Sequence, residues 1–426
     1  MRTASPRRFV SNLTRNTMAV IMAGGRGSRL EQLTDHRAKP GTPFGGKYRI
    51  IDFSLSNSVN SGIRQILVLT QYKAQSLIQH IQRGWGYLHG ELGEFIDIVP
   101  AQQKIGELWY RGTADAVYQN LDIIDQHQPD TVLVLAGDHV YKMDYGPMIA
   151  LHRETGADIT VGGVQVPLEQ ADQFGVMTLD RNNRVISFDE KPSDPSPMPG
   201  RKGVALASMG IYVFGTDFLR EQLLADAADD ASAHDFGRNV IPRAMHSHRV
   251  FAYPFEHVKT KAQRYWRDAG TVDAYYEANL ELVHVSPELN LYDSAWPIWT
   301  YQQQVPSAKF VLDGEGRSGS AINSMVSGGC IISGALVRES LLSSRVMVGE
   351  RSEIYRSVIL PGVDIGRNCL IRNAVVDEGV AIPDGTRIGV DPSFDRKYFN
   401  VTGRGVVLVT GDMLARLDSA AARPAA

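Results

Sequence analysis

The amino-acid sequence predicts an α/β domain built on a mixed or parallel sheet, followed by a parallel β-helix. Between residues 18 and 285, short apolar strands alternate with helical stretches, which is typical of a sheet wrapped by helices. Beyond residue 319, aliphatic side chains recur every 17 residues. This period is too short for stacked pairs of helices, and it fits strands that stack coil on coil in a triangular cross-section.

Three interleaved series of aliphatic residues carry this period: Val337, Ile354, Ile371 and Ile388; Leu342, Ile359 and Val376; and Ile331, Val348, Ile365 and Ile382. Ordinary strands with accidental spacing are the alternative. Residues 406–409 and 412–417 predict a strand and a helix that close the stack. The predicted organisation is an N-terminal extension (1–17), the α/β domain (18–285), an ordered linker (286–319) and the β-helix domain (320–426).

The composition excludes several classes of protein. The chain has 44 Lys and Arg against 47 Asp and Glu, a balance that argues against a nucleic-acid partner. Two cysteines, Cys330 and Cys369, are too few for a disulfide framework, and there is no Cys-x-x-Cys pair for zinc. No apolar run approaches the roughly 18 residues of a membrane span. With no signal peptide apparent, we expect a soluble cytoplasmic protein.

A glycine-rich turn follows the first apolar strand, residues 18–23. Gly24, Gly25 and Gly27 leave the backbone amides open to a polyphosphate, and successive amides in such a turn form an anion-binding nest. Four cations follow within reach of the same loop: Arg26, Arg29, Arg37 and Lys39. The glycines form neither a dinucleotide fingerprint nor a Walker loop, and alone they also fit an ordinary turn. Together with the cations, they predict a nucleoside triphosphate site.

Three predicted strands end in residues suited to ligand binding. Gly24 follows the strand at 18–23, Gln71 follows the strand at 66–70, and Asp138 follows the strand at 131–136. Ligands in open α/β sheets bind beyond the carboxyl ends of the strands. We therefore expect these three positions on one rim of the sheet.

Other polar positions have both a functional and a structural interpretation. Gly112 and Thr113 begin a predicted helix, where they could offer amides and a hydroxyl to a ligand, or Thr113 could simply cap the helix. Asp268 precedes another helix and could begin its cap. Glu190 and Lys191 end a predicted strand, where such a pair is usually solvated.

The motifs together resemble the sugar-phosphate nucleotidyltransferases, and most closely the bacterial glucose-1-phosphate adenylyltransferase family, also called ADP-glucose pyrophosphorylases. The segments that carry the resemblance are 23–29, 37–40, 44–53, 109–116, 135–139, 188–192, 208–212 and 265–270. The resemblance implies a Rossmann-like nucleotidyltransferase domain followed by a left-handed β-helix. It also implies synthesis of ADP-glucose and pyrophosphate from ATP and glucose 1-phosphate for glycogen, Mg²⁺ as cofactor, a homotetramer and allosteric control by glycolytic metabolites.

The resemblance assigns roles residue by residue. Catalytic roles fall on Arg29, Lys39, Asp138 and Asp268, the two acids also being the metal ligands. The nucleotide side comprises Ala23, Gly24, Gly25, Gly27, Gln71, Tyr110, Gly112 and Thr113. The glucose 1-phosphate pocket comprises Tyr110, Gly175, Glu190, Lys191, Ser208, Tyr212 and Asp235, with Lys191 meeting the phosphate and Glu190 the sugar hydroxyls.

A cleft for effectors is predicted between the domains, where sugar phosphates, pyruvate, AMP or phosphate would bind. Its candidate residues are His36, Arg37, Lys47, Arg49, Arg396, Lys397 and Arg404. His36 stands where some members of the family carry an activator-binding lysine, so the identity of the activator stays open. A cluster of charges can also be only a solvated face.

Three other functions compete with this one. A uridylyl- or thymidylyltransferase would use the same scaffold, and the sequence favours adenine by resemblance alone. A β-helix acyltransferase would need a histidine base, but the last histidine, His284, precedes the repeats. A non-catalytic regulatory subunit could dispense with the metal acids and phosphate lysines, all of which are present here.

Overall fold

The first strand, β1 (Thr17–Met22), is buried on both sides because its side chains alternate between two apolar layers. Ala19 and Ile21 belong to one layer, and Met18 and Val20 belong to the other. Such a strand is typical of the centre of a sheet that helices cover on both faces. The computed structural model describes residues 12–102, 104, 109–257, 260, 262–312 and 315–421, without the side chains of 418–421. Most of the predicted N-terminal extension lies outside these residues.

Besides β1, the central sheet contains β4 (Gln65–Thr70), β5 (Phe95–Pro100), β6 (Thr131–Ala136), β8 (Ile159–Pro167), β9 (Gly175–Leu179), β10 (Val185–Glu190), β11 (Val204–Gly215) and β12 (Val250–Pro254). This sheet is mixed, with strand order β10-β9-β11-β6-β1-β4-β5, and with β8 between β11 and β12. The neighbours of β1 and the pair β4–β5 are parallel, whereas β11 runs antiparallel to β6 and β8. Two short hairpin strands, β2 (Pro43–Phe44) and β3 (Tyr48–Arg49), pair with each other.

Helices cover both faces of this sheet. They are α1 (Asn12–Arg15), α2 (Ile51–Asn60), α3 (Gln75–Gly84), α4 (Thr113–Tyr118), α5 (Leu121–His127), α6 (Gly146–Glu154), α7 (Thr216–Ala227) and α8 (Ile241–Ala244). Helix α9 (Val272–Glu281) instead packs in an apolar cluster that it shares with the C-terminal domain. The strands predicted at 18–23, 66–70 and 131–136 are adjacent in the sheet as β1, β4 and β6, so the predicted rim is confirmed.

A small separate ladder brings two distant parts of the chain together. Strand β7 (Val140–Tyr141) pairs antiparallel with β13 (Trp266–Arg267), in the register Val140 opposite Arg267. Residue 268 therefore leaves β13 at the end of the ladder where residues 138 and 139 enter β7. This pairing explains why two acids 130 positions apart in the sequence can meet.

The segment predicted as a linker is packed against α2. Trp296 and Trp299 donate indole hydrogen bonds to the side chains of Asn57 and Asn60, at 2.9 and 3.2 Å. Strand β14 (Lys309–Val311) already pairs in parallel with the β-helix, so regular coils begin inside the predicted linker. A shared apolar core joins the domains, since Phe44 and Tyr275 belong to the same buried cluster as residues of the coils.

The β-helix has three sheets, which are parallel except for the last pair of the third. After β14, its strands are β15 (Ser320–Ile322), β16 (Met325–Val326), β17 (Ile331–Ser333), β18 (Leu336–Arg338), β19 (Leu341–Leu342), β20 (Met347–Val348), β21 (Glu353–Tyr355), β22 (Val358–Ile359), β23 (Asp364–Ile365), β24 (Leu370–Arg372), β25 (Ala374–Val376), β26 (Ala381–Ile382), β27 (Arg387–Ile388), β28 (Asn400–Val401) and β29 (Val407–Val409). The sheets are β14-β17-β20-β23-β26, β15-β18-β21-β24-β27 and β16-β19-β22-β25-β29-β28.

The register confirms two of the three predicted series and corrects the third. Val337, Ile354 and Ile371 stand opposite one another, but Val348 pairs with Ile332 and not with Ile331. From β15 to β18, from β16 to β19 and from β17 to β20 the register advances by 16 residues, as where Ser320 stands opposite Leu336. Counting back by 17 from Val348 therefore selects the neighbour of the inward residue. Ile332 is fully buried, whereas Ile331 is only half-buried.

The end of the chain closes the stack. Strand β29 (Val407–Val409) pairs with β25 and with β28 (Asn400–Val401), and helix α11 (Gly411–Ala421) places Met413 and Leu414 in the core of the coils. These confirm the predicted terminal strand and helix, whereas helix α10 (Pro392–Tyr398) was not predicted. Within the described part of the chain, no helix is long and apolar enough to cross a membrane.

Candidate active site

A lysine ammonium lies between two carboxylates at the rim of the sheet. Lys39 Nζ is 3.0 Å from Asp138 Oδ2 and 2.7 Å from Asp268 Oδ1, and it also donates to the Asp268 carbonyl at 2.8 Å. Arg29 pairs with the other oxygen of Asp268 at 3.1 Å. The structure therefore brings together all four residues that the resemblance assigned to catalysis.

Burial and charge act in opposite directions on this cluster. Burial alone would raise the pKa of Asp138 and of Asp268, but the adjacent Lys39 ammonium holds both below their usual range. Burial would likewise lower the pKa of Lys39, which the two carboxylates instead raise. All three groups are ionised at neutral pH, so the rim presents two carboxylates that already hold a cation.

His139 is a third group at this position. Its Nε2 lies 3.5 Å from Asp138 Oδ1 and 3.6 Å from Asp268 Oδ1, and its ring packs edge-on against Trp266. Asp138, His139 and Asp268 offer ligand atoms that all lie within 4.8 Å of one another, and they form the one cluster of this kind among the described residues. Asp268 does not cap α9, since Thr271 accepts the hydrogen bond from the amide of Ala274.

The glycine turn borders a cavity of about 330 Å³ next to the two acids. Its wall includes Gly24, Gly25, Gly27, Lys39, Gln71, Tyr110, Gly112, Thr113, Asp138 and Asp235. Two of the glycines are needed for space: a Cβ on Gly24 would lie 3.0 Å from Gln71 Cβ, and one on Gly27 would lie 2.7 Å from Lys39 Cβ. Ala23 is fully buried, bonded to the Leu69 carbonyl, and lies beneath the cavity instead of lining it.

The predicted sugar pocket is assembled from β9, β10, β11 and the loop before α8. Glu190 pairs with Gly175 across β9 and β10, and Ser208 Oγ lies 3.4 Å from the Tyr212 hydroxyl. Burial, then the charge of Asp235, raise the pKa of Glu190 above its ordinary value. Lys191 Nζ is 3.7 Å from Glu190 Oε1 and more than half exposed, so it can reach toward a phosphate.

Comparison with known proteins agrees with this geometry. Residues 18–284 match the nucleotidyl transferase family, and residues 306–409 match the GlmU-like C-terminal hexapeptide family. The glucose-1-phosphate adenylyltransferase of Methylococcus capsulatus is 62% identical over 409 residues, which cover 96% of each chain. Those of Nitrosococcus oceani and Paramagnetospirillum magneticum are 60% and 56% identical, over 96% of this chain and 97% of theirs.

This chain belongs to the glucose-1-phosphate adenylyltransferase family. Its architecture is the one that membership implies, a nucleotidyltransferase domain followed by a left-handed hexapeptide β-helix. The predictions of family, fold class and enzyme class are confirmed.

The first turn of α4 is bonded to a distant loop, and this decides between the two interpretations of the Thr113 hydroxyl. The amides of Ala114 and Asp115 both donate to the carbonyl of His234, at 2.9 and 3.3 Å. Thr113 does not cap its own helix. Its hydroxyl donates to Asp235 Oδ2 at 2.9 Å and accepts from the amide of Phe236 at 3.0 Å.

The predicted effector residues are not all brought together. Lys47 and Arg49 line a cavity of about 660 Å³ between the domains, with Arg83 and Arg345 on its other walls. Arg404 instead pairs with Glu277 on a different cavity, and Arg396 and Lys397 lie in the last turn of α10. His36 is exposed away from this cavity, and Arg37 forms a buried ion pair with Asp377 at 2.7 Å.

Some residues at this site were not predicted from the sequence. His139 directly follows the candidate acid Asp138 at the end of a strand, and this position could have marked it as a further site residue. Gln173 accepts a hydrogen bond from Arg29 at 2.9 Å, and a Cβ on Gly237 would lie 2.5 Å from Glu190 Oε2. Nothing local in the sequence marks Gln173, because its role depends on a contact across 144 positions.

Proposed function

We propose that this chain makes ADP-glucose and pyrophosphate from ATP and glucose 1-phosphate, committing glucose to glycogen. The observation that carries the proposal is the convergence of Asp138, Asp268 and Lys39 beside the glycine turn. On the neighbouring strands, Glu190 offers a carboxylate and Lys191 offers an ammonium group to a sugar phosphate. The family name of the relatives supports the same reaction.

The reaction needs no nucleophilic side chain and no general base. The phosphate of glucose 1-phosphate is ionised at neutral pH, and one of its oxygens attacks the α-phosphorus of ATP as pyrophosphate leaves. The difficulty is to bring two polyanions together in line, so catalysis consists of positioning and charge neutralisation. Arg29 and Lys39 have the charge and the place to offset the negative charge of the leaving pyrophosphate.

The donor set of the rim fits Mg²⁺. Asp138 and Asp268 supply the carboxylate oxygens that this ion prefers, and one or two carboxylates plus phosphates and water are its usual complement. The position of Lys39 between the two acids supports the fit, because both carboxylates already pair with one cation. When bound, Mg²⁺ would neutralise charge on the phosphates of ATP.

The sugar pocket has groups for each part of glucose 1-phosphate. Lys191 would bind the phosphate, while Glu190, Ser208, Tyr212 and Asp235 would accept or donate hydrogen bonds at the sugar hydroxyls. Gly175 keeps space open, because a Cβ there would lie 2.8 Å from Glu190 Oε2. The Tyr110 hydroxyl accepts a hydrogen bond from Asn120 at 2.9 Å and can still donate its own proton to a substrate.

A pyrophosphate-release assay tests this function against its competitors. Wild-type protein with Mg²⁺ and glucose 1-phosphate should release pyrophosphate with ATP much faster than with UTP or dTTP. Faster release with UTP or dTTP would make the chain a uridylyl- or thymidylyltransferase. No release with any nucleoside triphosphate, in folded protein, would favour the regulatory subunit.

Effector binding is proposed for the cavity between the domains, with a corrected set of residues. Lys47, Arg49, Arg83 and Arg345 line it, so a phosphate- or carboxylate-bearing metabolite such as fructose 6-phosphate, fructose 1,6-bisphosphate or pyruvate suits it, with AMP and phosphate as inhibitors. A homotetramer is also proposed, on the family resemblance. Light scattering on the purified protein measures the subunit number directly, and a monomer would contradict this part.

A further inference from the structure

A buried pair formed by an aspartate and a histidine lies next to Asp235, and neither member of the pair belongs to the predicted binding sites. Asp226 lies in the last turn of α7 and His234 lies in the loop that follows this helix, and the two side chains are 3% and 5% exposed. His234 Nδ1 is 3.0 Å from Asp226 Oδ2, and Ser232 Oγ donates to the other oxygen at 2.8 Å. A carboxylate so deeply buried needs such partners, because an unpaired one would be costly.

This pair fixes the backbone of His234 in an unusual conformation. The residue has φ of +54°, a left-handed region that few residues other than glycine and asparagine adopt readily. In that conformation its carbonyl points at the first turn of α4, where it accepts from two amides. It therefore supplies the hydrogen bonds that the helix start would otherwise lack.

The same loop lies directly against the nucleotide cavity. A Cβ added to Gly112 would lie 2.3 Å from the His234 carbonyl oxygen and 2.6 Å from that of Ala233. The φ of Gly112 is −161°, which any residue adopts, so glycine is required there by the closeness of the loop. Movement of the loop is thus transmitted to the wall of the cavity without any intervening side chain.

The next residue along connects the two predicted binding sites. Asp235 faces the sugar pocket, yet its carboxylate accepts from the hydroxyl of Thr113, which lines the nucleotide cavity. His234 and Asp235 together hold the start of α4 through its backbone and through its side chain. The spacing between the two sites is set at this junction.

We propose that Asp226 and His234 are positioning residues that hold the nucleotide loop and the sugar pocket at a fixed spacing. The inference rests on the proposed function for its sugar substrate, and it adds residues that touch neither substrate. Breaking the pair should weaken the binding of both substrates together, because Gly112 and Thr113 serve one and Asp235 serves the other. The acids at the rim and Lys39 belong to other elements and keep their places.

Two substitutions of His234 separate the hydrogen bond from the backbone conformation. Glycine and asparagine both tolerate the positive φ, but only asparagine carries a donor where Nδ1 stands. His234→Gly should raise the KM for ATP and the KM for glucose 1-phosphate by about fivefold or more each, with a smaller change in kcat. His234→Asn should keep both constants within about twofold of the wild type.

A control variant isolates the effect of lost stability. His152 is also a buried histidine, bonded to Thr160 Oγ1 at 3.0 Å. It lies on α6, which packs into the other apolar layer of the sheet from α7. His152→Ala should lower the melting temperature without changing either KM. If His234→Gly behaves in the same way, lowering the melting temperature alone, the pair is only structural and the inference is overturned.

Two further measurements keep the test decisive. Should His234→Gly not fold, Ser232→Ala removes the hydroxyl that joins Asp226 to the His234 amide, and smaller rises in both KM values are expected. Unchanged constants in that variant would overturn the inference. Titration of MgATP in the absence of sugar phosphate measures nucleotide binding alone. Weaker binding of MgATP to His234→Gly than to the wild type supports the inference even if the wild type makes no ADP-glucose. Equal ATP affinity would overturn it.

Discussion

The two cation-rich sites of this chain differ in how their positive charges are paired. At the rim of the sheet, Lys39 is held by two carboxylates, and Arg29 pairs with one of them. In the cavity between the domains, the cations are Lys47, Arg49, Arg83 and Arg345, and none of them forms an ion pair with a described residue. The one acid on that cavity wall, Glu378, lies 3.7 Å from Arg37 instead.

This difference indicates what each site accepts. The rim already balances a cation with two acids, so it suits a metal ion that arrives with phosphates. The cavity has unbalanced positive charge, so it suits an anion. The pKa directions agree: burial lowers the pKa of Arg49, whereas at Lys39 the effect of burial is reversed by the acids.

The largest expected effect concerns Arg37, a paired cation between the two sites. Arg37 and Asp377 are each 9% exposed in their side chains, and they join the catalytic domain to the β-helix. Arg37→Met leaves a buried carboxylate without its partner, which costs about 3–5 kcal/mol. The midpoint of urea unfolding measures the loss. Arg220→Met, which breaks an exposed pair with Asp125, should cost about 1 kcal/mol or less, and equal losses would contradict the account.

The next effect tests the paired site for catalysis. Asp138→Asn should lower kcat by about a hundredfold or more, the usual effect of removing one group that stabilises the transition state. Pyrophosphate release at saturating ATP and glucose 1-phosphate gives kcat. Asp122→Asn, at an exposed acid paired with Lys104, is the matched control and should leave kcat unchanged. Near-wild-type turnover in the Asp138 variant would remove that residue from the metal site.

The sugar-phosphate pocket should respond to loss of its own cation. Lys191→Gln is expected to raise the KM for glucose 1-phosphate about tenfold, because a charged hydrogen bond to the phosphate is lost. The KM for ATP should barely move, since Lys191 does not line the nucleotide cavity. Steady-state kinetics with each substrate varied in turn separates the two constants. Equal rises in both would place Lys191 elsewhere in the mechanism.

A smaller effect concerns Glu190, whose charged form is destabilised by its surroundings. Burial and Asp235 raise the pKa of Glu190 above 4.5, so the folded state binds this proton more tightly than the unfolded chain does. The contribution of Glu190 to the free energy of unfolding therefore falls as the pH rises from 4.5 to the raised pKa. At pH 7 the full loss of stability is present.

Glu190→Gln removes that cost. Its melting temperature should exceed that of the wild type by about a few degrees at most at pH 7, and the gain should disappear below pH 4.5. Asp189→Asn, at an exposed carboxylate one residue earlier, should bring no such gain. A Glu190→Gln variant that is less stable than the wild type at pH 7 would contradict the assignment.

The smallest expected effect concerns the unpaired site. Arg345→Gln should leave basal activity unchanged and weaken the response to fructose 6-phosphate, fructose 1,6-bisphosphate or pyruvate by about threefold to tenfold in half-saturating concentration. Activity at fixed substrate with each effector titrated measures this. An unaltered response in the variant, or no response in the wild type, would remove the effector role from this cavity. Arg404→Gln, outside the cavity, should respond normally.

The parts predicted from the sequence are those governed by local periodicity. The apolar runs around Val20, Val68 and Val134 specify buried parallel strands, and their shared direction fixes which residues meet at the rim. The coil period predicted the inward positions from Val337 onward. It misplaced Ile331, because a single coil one residue shorter shifts the register of everything before it.

The parts not predicted depend on long-range contacts. Whether Thr113 caps its helix or bonds Asp235 is decided by a loop more than 100 residues away. The grouping of Arg404 with Lys47 failed for a similar reason: proximity to the end of the chain does not say which wall of the β-helix a residue occupies. His234 gave no local signal because its function depends on the φ of its backbone and on a buried partner.

The most direct test of the central claim is a crystal structure of the protein with ADP-glucose and Mn²⁺ in place of Mg²⁺, with the metal located by its anomalous scattering. We predict one strong peak bound by the carboxylates of Asp138 and Asp268 together with phosphate oxygens of the nucleotide sugar. A peak away from these two acids, with Lys39 still bonded to both of them, would contradict the account.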